Sequence, residues 1–256
     1  MKRHKNRIVL AISLVVMLGC GGGTGPDTEL VGHWQGRWVD NSVNQQGQLN
    51  VVLIDDKDVG QVTGNVFRTQ PDPAAPDDLS RDTILSTGTV QGQVRGKDLN
   101  ATYTYPTGTY TASGRIVIDA AGHLVGFLKT APVPKPADPF FAIWSGNAIN
   151  TQGPPNEVNT LTLVMMADHR FSGVLLKTVN NATTRFRIQG SMQPGGAIAA
   201  NVTDANGQTA QGAGSLALAN VHLTGTLTVP APLAMSLALD LSSIPDSTSY
   251  IDLVRL

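Results

Sequence analysis

Val221-His222-Leu223-Thr224-Gly225-Thr226-Leu227-Thr228-Val229 is the stretch whose reading decides the fold. Val221, Leu223, Leu227 and Val229 alternate with His222, Thr224, Thr226 and Thr228, so one face suits a core and the other suits water. The next apolar run keeps the same period: Leu233, Met235, Leu237, Leu239 and Leu241 are separated by Ala234, Ser236, Ala238 and Asp240. A period of two excludes a helix there.

Working outward, the same texture covers most of the chain. Strands are predicted at residues 30–38, 48–54, 59–68, 83–94, 99–105, 110–118 and 124–129, each bounded by Gly, Asn, Asp or Pro. Regular short strands with turn residues between them define an antiparallel meander. Residues 69–82 carry Pro71, Pro73 and Pro76 with Asp72, Asp77, Asp78 and Asp82, and are expected to form a long exposed hairpin loop. Pro132, Pro134, Pro136 and Pro139 then crowd residues 131–139, which read as a stiff linker. No helix is expected beyond the N-terminal segment.

The second half repeats the first. Trp34-Gln35-Gly36 returns as Trp144-Ser145-Gly146, and Val62-Thr63-Gly64 returns as Phe171-Ser172-Gly173. Gly92 answers to Gly190, Gly114 to Gly214, and Leu124-Val125-Gly126-Phe127-Leu128 to Leu223-Thr224-Gly225-Thr226-Leu227. The spacing shrinks where the second half lacks the Pro/Asp loop, so one insertion explains the offset. Glycines inside strands permit the tight bends that curl a sheet into a barrel. The expected fold is therefore all-β: two tandem antiparallel up-and-down meander barrels, at residues 30–130 and 140–256. One large β-domain built from both halves is the alternative. The last strand, Tyr250 to Leu256, is expected to close the second barrel, while the first half shows seven strands and no counterpart for closure.

Residues 1–19 have the anatomy of an export signal: Lys2, Arg3, Lys5 and Arg7 precede an uncharged run from Ile8 to Leu18. Eleven helical residues rise about 16 Å, half the thickness of a bilayer's hydrocarbon core, so the run is too short to span. Met17-Leu18-Gly19-Cys20, with the chain's one cysteine, resembles the lipobox of bacterial lipoproteins. That resemblance implies cleavage between Gly19 and Cys20 and acylation (diacylglyceryl, palmitate-type chains) of the Cys20 thiol. Residues 20–29 then form a glycine-rich tether. In proteobacterial lipoproteins an Asp after the acylated cysteine retains the protein at the inner membrane. Gly21 is not Asp, which by the resemblance points to the cell outer membrane where the organism has one.

Cleavage would remove four of the eighteen Lys and Arg and none of the nineteen acids, leaving a formal charge of 14 − 19 = −5. No basic cluster with interleaved aromatics remains, so nucleic acid is excluded as a partner. With its single cysteine the chain forms no internal disulfide or cysteine metal site. Asp55, Asp56 and Asp58 with Gly60 lack the later ligands of a calcium loop, and His33, His123, His169 and His222 lack metal-ligand spacing and read as solvated strand histidines. No Gly-x-Ser-x-Gly elbow and no selected carboxylate pair point to catalysis. Neither an enzyme nor a cofactor is expected.

Leu30-Val31-Gly32-His33-Trp34 resembles the Gly-x-Trp opening strand of lipocalins and avidin-like proteins; Ala142 departs from it at the position of Gly32. The resemblance implies small meander barrels that often hold ligands. Trp34 and Trp144 are the candidate ligand-stacking residues, with the filling of a barrel end as the other role for them, and Trp38 is placed at a surface or mouth. The expected function is a lipid-anchored envelope lipoprotein with a binding or interaction role, a small apolar ligand in a barrel being one form of it. The alternative is a structural or assembly protein with filled barrels, acting through its loops on an envelope protein partner.

Overall fold

The computed structural model describes residues 25–56, 59–72, 78–132 and 137–256. The first run of strands is β1 (Gly32–Asp40), β2 (Gln45–Asp56), β3 (Val59–Gln70), β4 (Thr83–Arg95), β5 (Asp98–Tyr105), β6 (Gly108–Ile118) and β7 (Leu124–Ala131). The second is β8 (Ile143–Asn150), β9 (Val158–Met165), β10 (Arg170–Val179), β11 (Ala182–Met192), β12 (Ala197–Asp204), β13 (Thr209–Ala219), β14 (His222–Val229) and β15 (Met235–Ser243). A last strand, β16 (Ser249–Arg255), follows. Helix among the described residues is confined to two 3-10 turns, Thr28–Leu30 and Leu79–Arg81.

Both barrels are closed, eight-stranded and antiparallel, but the chain assigns the closing strands differently from the tandem expectation. β15 pairs with β8 and completes the second barrel. β16 pairs with β1 on one side and β7 on the other, so it is the missing eighth strand of the first barrel. The second barrel is thus an insertion between the seventh and eighth strands of the first. A strand's alternation specifies which face is buried and not which neighbour it takes.

The repeat holds residue by residue. Gly64 lies opposite Val51 and Val90, as Gly173 lies opposite Leu163 and Ile188. Gly36 faces Leu253 across the seam, as Gly146 faces Leu241. A Cβ on Gly36 would overlap the Asp252 carbonyl, so this seam requires glycine. Tight hairpins use left-handed residues: Asn180 and Asn181, with φ of 50° and 65°, join β10 to β11 in the manner of a primed turn.

Inward side chains form the core of each barrel, with Trp34 and Ile116 in the first and Trp144, Leu175 and Ile188 in the second all buried. A third cluster lies between the barrels. Val39, Val125 and Tyr250 from the first pack on Ile143, Val164, Met166 and Val174 from the second. Apart from Met166, which follows β9, these are outward positions on their own strands, buried because a second barrel covers them.

The Pro/Asp loop is not simply exposed. Its last residue, Asp82, has a fully buried carboxylate that accepts from Arg37 Nη1 at 2.6 Å and Nη2 at 3.0 Å, from Gln48 Nε2 at 3.1 Å and from Thr69 Oγ1 at 2.8 Å. Burial opposes the charge, yet these donors hold the Asp82 carboxyl below its ordinary pKa. The loop is pinned to the barrel wall at its end, and residues 73–77 lie outside the described residues. Of the linker at 131–139, residues 133–136 lie outside them as well.

Candidate functional site

Cys20 and Gly19, the acylation and cleavage positions expected from the sequence, lie outside the described residues. The described chain begins at Gly25, and there it is already docked: Gly96 donates to the Gly25 carbonyl at 2.9 Å, and Lys97 reaches Asp27 at 3.3 Å and Glu29 at 3.5 Å. Residues 25–29, expected as the end of a flexible tether, are instead docked on the first barrel beside the β4–β5 turn.

Trp34 and Trp144 occupy the same place in the two barrels. Each is 1% exposed, and each indole Nε1 donates to the carbonyl four residues upstream, Leu30 at 2.8 Å and Phe140 at 3.0 Å. A buried indole needs such a partner. Both side chains belong to the cores of their barrels, and neither is among the residues lining the apolar cavity of the first barrel.

An apolar cavity lies further along the first barrel, away from Trp34 and beside Trp38. It measures about 70 Å³ and is almost wholly apolar, walled by Val66, Val90, Leu99, Leu128 and Ile251 with Trp38 at one side. Trp38 is buried, not at the surface, and donates to the Phe67 carbonyl at 3.1 Å. At the rim, Ser249 Oγ donates to Asp40 Oδ2 at 2.7 Å and lies 2.7 Å from Thr130 Oγ1. Tyr103, also on the wall, has its phenol pKa raised by burial and by the charge of Asp40. The second barrel fills the matching space. By register, Leu175 replaces Val66, Ile188 replaces Val90, Phe186 replaces Gly88, Val229 replaces Thr130 and Leu237 replaces Ser249.

Between the barrels sits an ion network that the sequence did not single out. Arg185 on β11 donates to Asp119 Oδ2 at 2.5 Å and pairs with Asp252 on β16, whose other oxygen lies 2.9 Å from His123 Nδ1. Burial would raise the Asp252 pKa, but His123 and Arg185 hold it below its ordinary value. His123 is therefore part of a half-buried pair rather than a solvated residue, while His222 pairs with Asp240 on the surface at 2.8 Å. No group of three or more His, Cys, Asp or Glu among the described residues is placed to hold a metal ion.

Three shallow depressions run together outside. One of about 250 Å³ shares Gln46, Gln70 and Arg170 with one of about 260 Å³, which shares Gln189, Gly190 and Asn201 with one of about 540 Å³. They form a trough from β2 and β3 of the first barrel across the junction to β13 of the second. Its side chains come from several strands, so the only signal in the sequence is a high carboxamide content with no local motif. No protein-family model and no curated protein matches this chain.

Proposed function

We propose that the protein is an exported lipoprotein, cleaved before Cys20 and held in the cell envelope by acyl chains on that thiol, which acts by binding through the outside of its barrels. The observation that carries the binding surface is the filled interior. Leu175, Phe186, Ile188, Val229 and Leu237 occupy in the second barrel the positions around the cavity of the first, and the 70 Å³ of that cavity is about half of the roughly 150 Å³ in which benzene fits. Polar groups converge instead in the trough between the barrels.

The anchor follows from the lipobox resemblance, and the dock at Gly96 supports its geometry. Five residues from Cys20 to Gly25 reach at most about 17 Å, which would set the β4–β5 end of the first barrel near the bilayer. Two or three acyl chains contribute about 0.8 kcal/mol per buried methylene, enough for lasting attachment. Gly21 favours the outer membrane over the inner in organisms that have both. The eight-stranded meander agrees with the lipocalin and avidin-like resemblance at the level of architecture.

One observation favours a second reading, a small apolar ligand within the first barrel: the equivalent space in the second barrel is filled, whereas here Ser249, Thr130 and Val66 leave it open. Native mass spectrometry of the chain purified from its own envelope decides between them. The outer-surface reading predicts a bare native mass equal to the denatured one. A reproducible excess lost on denaturation would contradict it and support the carried ligand.

A further inference from the structure

The end of the first barrel that receives the N-terminal segment also carries exposed apolar side chains. Pro26 lies against Gly60 on β3 and bridges Gly96 in the β4–β5 turn, and Arg255 of β16 donates to the Glu29 carbonyl. On the wall beside this entry β16, β1 and β2 are neighbours, with Val254 opposite Gln35 and His33 opposite Val52. Leu256 continues that register and donates its backbone N–H to the His33 carbonyl. Trp34, Val51, Leu53 and Leu253 point into the core, so alternation turns Val52, Ile54, Val254 and Leu256 outward. Leu256 is 66% exposed, Ile54 51% and Val254 41%. They make one apolar edge, with His33 between its two halves.

Apolar side chains scattered singly over a surface need no partner, but these are adjacent and a partner lies within reach. The five residues from Cys20 to Gly25 span at most about 17 Å, so an acylated Cys20 holds this edge close to the bilayer that takes the acyl chains. Such confinement raises the effective concentration, and a contact too weak to form from solution becomes occupied. Charge selects the kind of surface. Asp55 and Asp56 follow Ile54 on β2 and are exposed, and they repel an anionic headgroup. The nearby cations are already engaged: Lys97 with Asp27 and Glu29, Arg255 with the Glu29 carbonyl, and Arg95 opposite Asp98 by register. A zwitterionic headgroup layer meets this edge without that repulsion.

We propose that this edge seats on the neutral lipid interface of the anchoring bilayer, with Ile54 and Leu256 entering the headgroup layer and the first barrel standing end-on. The inference rests on the lipoprotein reading and gives the anchored protein an orientation. Gln46, Gln70 and Leu85 lie at the opposite ends of β2, β3 and β4, so the trough faces away from the membrane and stays open to a partner.

The test couples the chain beginning at Cys20, through its one thiol, to a maleimide lipid in phosphatidylcholine nanodiscs that also carry a gadolinium-chelate lipid, and follows methyl signals. Ile54 and Ile84 are the internal comparison, 51% and 55% exposed at opposite ends of the barrel. The Ile54, Val52 and Leu256 methyls should broaden well beyond Ile84, and less so in discs containing phosphatidylglycerol. In Ile54→Gln/Val254→Gln, both exposed positions, the excess at Val52 and Leu256 should be lost with an unchanged melting temperature. Equal broadening of Ile54 and Ile84, or an excess that survives the double variant as mere nearness on a leash, would overturn the seating. So would a dimer in sedimentation with no excess, which would put a second copy on the edge, and a larger excess on the anionic discs would overturn the neutral surface. Because the coupling is chemical, none of these results touches natural acylation, which the mass of the N-terminal peptide reads separately.

Discussion

Leu253 faces Gly36 across the seam of the first barrel, although the whole second barrel lies between them in sequence. The first barrel cannot close without residues that lie beyond the whole of the second barrel in sequence. A chain ending at Ser243 keeps every strand of the second barrel and strips the first of β16, exposing the edges of β1 and β7. Dispersed amide signals for β8–β15 and collapsed ones for β1–β7 are the expected spectrum. Retention of native signals from β1–β7 would show that seven strands suffice.

The two tryptophans have matching structural roles and should have matching costs. Trp34→Ala and Trp144→Ala each remove a fully buried indole and should destabilise by about 3–5 kcal/mol, read as a lowered urea midpoint. A variant that unfolds at the wild-type midpoint would show that its tryptophan is not a core plug.

Arg37 and Asp82 are 7% and 0% exposed, so Asp82→Ala removes the carboxylate that a buried guanidinium, Gln48 and Thr69 all donate to and should cost about 3–5 kcal/mol. The pH dependence has a definite sign. Asp82 and Asp252 both have folded pKa values below their ordinary ones. They therefore contribute stability above the unfolded carboxylate pKa, about 4, and lose it as the pH falls through the folded values. Thermal melts should show stability flat near neutrality and declining below about pH 4, with a shallower decline in Asp252→Asn. A melting temperature that rises on acidification would contradict the assignment.

The second barrel supplies the recipe for filling the first. Val90→Ile copies Ile188 into the cavity and should stabilise the first barrel by about 0.5–1 kcal/mol. A destabilised variant would mean that the space is already too tight for one methylene.

Much of this was legible in the residues. The alternation of Leu223, Leu227 and Val229 placed a strand where β14 lies, and the pairs Gly64/Gly173 and Gly126/Gly225 fall at equivalent registers of the two barrels. What was not legible depends on contacts between strands far apart. Tyr250 and Asp252 sit on the outward face of β16, where alternation predicts water, and only the neighbouring barrel buries them. Asp82 reads as a loop acid until the loop folds back on Arg37. The trough sets Gln46 and Gln70 of the first barrel beside Gln189 and Asn201 of the second, a neighbourhood that exists only because the two barrels pack side by side.

Whether the barrel pair is tethered through Cys20 is read from the mass of the N-terminal peptide of envelope-extracted protein. The predicted result is a peptide whose first residue is Cys20 and whose mass exceeds the unmodified sequence by a diacylglyceryl group, with or without a third acyl chain. An N-terminus at any other residue, or an unmodified Cys20 thiol, would contradict it.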